Sequence, residues 1–463
     1  MTTPFKLLIC LAVLAACGAE SEPVTGERGG LLILTTRDFV ARSEVLPRFV
    51  AQKERRGFRV RVVDEDDFGG DGLVGQPRAL RIRDYLRLVR DHGYTHLLLI
   101  GDGHPQYGDV PMFTVWPRHA QPADLCLSAF ALDCRSCQTD QLYANLTGDW
   151  DLNGNGRPGE HGLDEGPGGI DFHPDLIVGR IPVYLGRVDE GDRILQHALD
   201  YMNQSSAQAA YRRRVLLMGA MLYYRGQELA AVNVAQDLDG AATGEWMVQH
   251  VLRGQPGVTY RRLYEREGIA PSSSPGDAAL TAESATVELG RGYGMVFWSG
   301  HGLPTRVVRV VWNGDDDNDG KADHAELTSP PFLRAQDAEQ IAPGQPGFAV
   351  AASCEVGSAD VPHNLSHSLL LAGAVVGMVG SSSVTPGSET ATQPELDRKL
   401  FGADNAAVLM FEGLLAGESA AAAFARARET LGQAQSADVL AGKMMLNYFG
   451  DPTLTLEDTG PER

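Results

Sequence analysis

Gly294-Met295-Val296-Phe297-Trp298-Ser299-Gly300-His301-Gly302 and Gly347-Phe348-Ala349-Val350-Ala351-Ala352-Ser353-Cys354-Glu355 are two apolar runs that each end in a reactive side chain. A short continuous apolar run bounded by glycine reads as a strand buried on both faces, and such strands belong to a parallel sheet covered by helices. In open parallel sheets, reactive groups gather at the carboxyl ends of strands, where the chain leaves the sheet. His301 and Cys354 both stand there. A thiol attacks as thiolate, so a cysteine nucleophile needs an imidazole to take its proton or stabilise its charge. Two strand ends of one sheet can hold both groups in fixed geometry. The glycines beside His301 let a backbone N–H approach an oxyanion.

Outward from these runs the chain alternates strand and helix. The pattern predicts strands at Leu31–Leu34, Phe58–Val63, Tyr94–Ile100, Leu176–Arg180, Val215–Met218, Val258–Tyr264 and Ala374–Val379. Helices are predicted over Ser43–Arg56, Leu80–Arg90, Val188–Gln204, Glu228–Ala235, Ala279–Leu289 and Glu418–Gln433. The expected fold is α/β, two parallel-sheet units with helices on both faces. The first unit spans 31–210 and the second, catalytic unit 211–458. From Pro105 to His173 periodicity disappears, a stretch too long for a plain connection and read as a functional insertion.

The 463 residues are 43% hydrophobic and 22% charged, with a formal net charge of −20. That balance is globular, and an acidic chain has no field to hold nucleic acid. Lys6, the apolar run Leu7–Ala16 and Leu14-Ala15-Ala16-Cys17-Gly18 form a signal segment over residues 1–16 with a lipobox, too short to span a bilayer. This resembles the bacterial lipoprotein signal, which implies that Cys17 carries lipid and that residues 17–30 tether an extracytoplasmic protein to the cell envelope. The membrane is then a partner only through that anchor. Of the six cysteines, Cys126, Cys134 and Cys137 cluster, open to one disulfide or to a zinc site with His119.

His301 precedes Cys354 by about 50 residues, as in caspase-type peptidases. Gly300-His301-Gly302 and Ala351-Ala352-Ser353-Cys354-Glu355-Val356-Gly357-Ser358 resemble the clan CD cysteine peptidases, which implies a caspase-like fold. Thr139-Asp140-Gln141-Leu142-Tyr143, His173-Pro174-Asp175-Leu176-Ile177-Val178-Gly179-Arg180 and Asn447-Tyr448-Phe449-Gly450-Asp451-Pro452-Thr453-Leu454 make the chain most similar, within that clan, to the gingipain family. The resemblance implies that Cys354 is the nucleophile, His301 the general base or ion-pair partner, the backbone of Gly302 and Cys354 the oxyanion hole, and Asp175 the acidic support of the histidine.

Two acidic segments match the Asp-x-Asp-x-Asn/Asp-Gly-x5-Glu pattern of calcium loops. The first is Asp149, Asp151, Asn153, Asn155 and Glu160; the second is Asp315, Asp317, Asp319, Lys321 by its carbonyl, Asp323 and Glu326. Ca2+ takes six to eight oxygens, and a glycine at the sixth position permits the sharp turn. The second loop lies between His301 and Cys354 in sequence, where calcium is expected to order a wall of the cleft. These readings converge on a lipid-anchored, calcium-stabilised cysteine endopeptidase that cleaves protein or peptide substrates through a Cys354 thioester. The rivals are a silent surface lipoprotein that keeps the fold for binding and a dedicated processing peptidase for exported proteins.

Overall fold

The apolar runs become strands of one large sheet in the computed structural model, which describes residues 28–118, 136–229, 232–234, 236–341, 344–385, 402–431 and 436–460. The strands are β1 Gly30–Leu34, β2 Arg59–Val63, β3 Tyr94–Gly101, β4 Ile177–Pro182, β5 Arg214–Gly219, β6 Thr259–Tyr264, β7 Ala278–Ala279, β8 Met295–Ser299, β9 Gly347–Ala352, β10 Val375–Ser381 and β11 Leu446–Gly450. Their order across the sheet is β7-β6-β5-β8-β9-β10-β11-β4-β3-β1-β2. The expected units are visible as β4-β3-β1-β2 and β7 through β10, each internally parallel. β11 joins them. It runs antiparallel to β10 and meets β4 through Phe449 and Arg180.

Alternation along each strand distributes the core over two faces. Leu31, Ile33, Leu98 and Ile100 belong to one apolar cluster, and Leu32, Leu34, Leu97 and Leu99 to another. Helices cover both. The principal ones are α1 Leu46–Arg55, α2 Gly75–Val89, α3 Val188–Asn203, α4 Ala282–Gly290, α5 Leu365–Ala372, α6 Ala403–Leu415, α7 Ala420–Thr430 and α8 Ala437–Met445. α4 starts three residues later than the apolar pattern predicts, because the Thr281 hydroxyl caps it by accepting from Ser284 N and Ala278–Ala279 pair with β6. The predicted helix at Glu228–Ala235 is absent: Glu228–Leu229 and Val232–Asn233 pair as a strand ladder, and the helix forms later, over Ala241–Met247. Val232, β-branched, favours the extended backbone it takes in that ladder.

The segments that carry the family resemblance brace the sheet. Arg180, on β4, is fully buried and grips Asp140 through two hydrogen bonds of 2.7 and 2.6 Å while donating to Val110 O. This bidentate pair pins the long insertion to the sheet. Asn447 Oδ1 accepts from Asp140 N, and Lys53 on α1 pairs with Asp451 just beyond β11.

Candidate active site

β8 and β9 are parallel neighbours with Ser299 opposite Ala352, so their carboxyl ends leave the sheet side by side. Gly300 N donates to Ala352 O at 3.2 Å. The chain then turns into a hairpin, His301–Leu303 against Arg306–Val308. At Gly302 an added Cβ would overlap the carbonyl and amide of Cys354. Only glycine fits, and the backbones of the two expected oxyanion donors therefore lie against each other. The loop after Cys354 is held on the end of β10 by Glu355 N to Ser383 O and Gly357 N to Ser381 O, and to the His301 hairpin by Leu365 N to Pro304 O. Glu355 adopts a left-handed backbone with φ of 56°, a strained conformation for a residue with a side chain, directly after the thiol.

The His301 ring is oriented from an unexpected side. Its Nε2 lies 2.9 Å from Leu222 O, and the Tyr223 ring packs edge-on at 4.8 Å. A carbonyl only accepts, so Nε2 carries the hydrogen and Nδ1 is the basic nitrogen. Burial pulls the imidazole below its ordinary pKa, against the opposing pull of the Leu222 carbonyl. Burial pushes the Cys354 thiol up, opposed by hydrogen bonding to Thr385, whose Oγ1 lies 3.4 Å from Sγ. The resting pair is thus a neutral thiol and a neutral imidazole. Burial and the nearby Cys354 sulfur also raise the Tyr223 hydroxyl.

Asp175 does not support His301. Its Oδ2 accepts from Leu146 N at 2.7 Å, and it precedes the amino end of β4. The carboxyl end of β4 is the end near the site, because Tyr184 beyond it accepts from Asn364 in the segment after Cys354. A six-residue strand of about 20 Å separates Asp175 from that end. An acidic residue opening a strand here caps a turn. Leu222, Tyr223 and Thr385 were not singled out from sequence: a backbone carbonyl carries no residue signature, and Tyr223-Tyr224 after the β5 run is the one local hint.

In the second acidic loop Asp315, Asp317 and Glu326 bring carboxylate oxygens within 4.8 Å of one another. Asp319 N donates to both Asp315 and Asp317, Gly320 N to Asp315, and Gly320 has φ of 75°. The first loop repeats this ladder two residues later than its sequence pattern. Asn155 N donates to Asp151 and Asn153, Gly156 N donates to Asp151, and Gly156 has φ of 81°. Asp151 therefore takes the leading position assigned to Asp149, which instead accepts from Asp151 N. Buried Glu160 accepts from the side chains of Asn153 and Asn155, and buried Asp164 lies beside it, its Oδ2 accepting from Glu160 N. Asn155 contributes its side chain here. In the second loop Lys321 N donates to Asp319 and Asp323 N to Glu326.

Cys17, His119, Cys126 and Cys134 lie outside the described residues. Cys137 is fully buried, its thiol pushed up to about 12 by desolvation. No helix among the described residues is long and apolar enough to cross a membrane.

The profile of peptidase family C25 matches residues 25–457. Solved structures similar to the chain include the arginine-specific cysteine proteinase gingipain R, with a TM-score of 0.62 and 14% identity over 95% of this chain and 81% of that one. A complex of Porphyromonas gingivalis RgpB pro- and mature domains follows at 0.61 and 13%, over 94% of this chain and 81% of that one. A third, described as a protease, gives 0.56 and 15% over 94% and 79%. At these identities the likeness is one of fold. No curated protein sequence matches the chain.

Proposed function

The chain belongs to peptidase family C25 and is a cysteine-type peptidase acting on protein or peptide substrates; we propose that it is a lipid-anchored, extracytoplasmic endopeptidase stabilised by calcium, with Cys354 as nucleophile and His301 as base. The observation that carries the site assignment is the fit of Gly300 and Gly302, on either side of His301, against the backbone of Ala352 and Cys354. His301 Nδ1 takes the thiol proton as Sγ attacks the scissile carbonyl carbon. The oxyanion is received by the N–H groups of Gly302 and Cys354. Collapse expels the amine, which takes the proton from His301, and leaves a thioester. Water, deprotonated by the same nitrogen, then releases the acid and restores the thiol. Leu222 O holds the imidazole in the tautomer that both steps need.

Calcium would be held by Asp315, Asp317, Asp319, Asp323 and Glu326 with the Lys321 carbonyl, and by Asp151, Asn153, Asn155 and Glu160 in the first loop. The converging carboxylates support this, since a cation among them would offset their mutual repulsion. The second loop also connects to the base. Glu326 accepts from Trp312 Nε1, Trp312 packs on Tyr224, and Tyr224 follows the Leu222–Tyr223 pair that orients His301.

The test uses protein beginning after Cys17, a diverse peptide library with and without calcium, and a Cys354→Ala control. Cleavage that requires Cys354 and falls on calcium removal is expected. Cleavage surviving in Cys354→Ala would overturn the assignment. Anchoring is tested by labelling cells with a fatty-acid probe: label absent from wild type, or retained in Cys17→Ser, would sink it.

A further inference from the structure

We propose that Glu190, His363 and His367 form a zinc-binding site, separate from the catalytic pair, that clamps the start of α3 to the start of α5. Glu190 lies in the first turn of α3; His363 precedes the Asn364 cap of α5, and His367 lies within its first turn. Their ligand atoms all lie within 4.8 Å of one another. Glu190 Oε1 is 3.0 Å from His363 Nε2, and Glu190 Oε2 is 3.6 Å from His367 Nε2. Ligands about 2.0–2.1 Å from a tetrahedral zinc lie roughly 3.4 Å apart, between those two separations.

The independent sign of a missing ligand is His367. Its side chain is fully buried, yet neither ring nitrogen has a hydrogen-bond partner, and Glu190 Oε2, also buried, has none either. Buried polar atoms are ordinarily paired. The fold holds this ring in place on both sides: Tyr184 packs edge-on at 5.1 Å and His363 stacks at 5.2 Å. Asn364, which caps the helix by accepting from His367 N, also donates to Tyr184 O–H. His363 is half-exposed and closes the site from the solvent side. Arg187, also half-exposed, lies 3.1 Å from Glu190 Oε1 and offsets the carboxylate's charge from the solvent side; a bound metal would replace it there.

Two imidazoles and a carboxylate suit zinc, leaving a fourth position for water. Because α3 follows β4 and α5 follows the Cys354 loop, the ion would tie the first half of the chain to the second, next to the segment that carries the nucleophile. Zinc binding should therefore raise the melting temperature.

The experiment titrates Zn2+ into the mature chain carrying Cys354→Ala, with calcium saturating, by calorimetry and thermal melting. Cobalt substitution reads the donor type. One zinc is expected at this site, with a cobalt spectrum free of thiolate charge transfer. His363→Ala, at the exposed position, and Glu190→Gln should each weaken it at least tenfold, since even supporting partners are worth about 10–100-fold. Far-UV circular dichroism checks that both variants fold. No zinc bound, binding unchanged in both folded variants, or a thiolate band that they leave intact would overturn the proposal.

Discussion

At Gly302 a single methyl group would overlap the Cys354 carbonyl, so Gly302→Ala must push the His301 hairpin away from the Cys354 loop. We expect kcat/KM to fall about 100-fold or more, the scale of losing one oxyanion donor, with the fold retained by circular dichroism; wild-type kinetics would show that the two loops are free to part. Asp175→Asn should behave oppositely. It weakens a cap on Leu146 N and should cost about 1 kcal/mol of stability while leaving kcat/KM unchanged. The pH profile reports the pair itself. The His301 pKa is lowered and that of Cys354 raised, and the competent free enzyme has both neutral. The acid limb of kcat/KM should therefore fall below the ordinary imidazole value of about 6.5 and the alkaline limb above the ordinary thiol value of about 8.5. An acid limb above 6.5 would contradict this neutral resting pair.

The acidic loops show how far an element can be read from spacing. Glycine at the sixth position and acids at alternate positions identified both segments, but in the first either Gly154 or Gly156, each with positive φ, can take that place. The choice between registers rests on which carboxylate accepts two successive backbone N–H groups, and that is Asp151. Asp151→Asn should thus weaken calcium-dependent stabilisation, measured as the shift in melting temperature on adding calcium, while Asp149→Asn should leave most of it. Equal losses would return Asp149 to the leading position. The predicted helix at Glu228–Ala235 failed for a related reason: a short run without strong periodicity took the pairing its neighbours offered.

Across the whole molecule, buried polar braces hold the insertion and the two halves of the sheet together. Removing one partner of the Arg180–Asp140 pair leaves an uncompensated buried charge, so Asp140→Ala should cost about 3–5 kcal/mol, read by denaturant unfolding. Asp140→Leu combined with Arg180→Met should be less destabilising than Asp140→Ala; a double variant as unstable as the single would assign the loss to packing. The nine predicted strands, the α/β class and the placement of His301 and Cys354 at strand ends were all legible in the sequence, since most of these strands are buried on both faces and that leaves a local apolar pattern in the chain. Which strands are neighbours, the antiparallel β11 between the halves, the Leu222 carbonyl behind His301, and the distance of Asp175 from the site were decided only by tertiary structure. Each depends on which ends of distant segments meet, and on backbone groups that every residue carries alike.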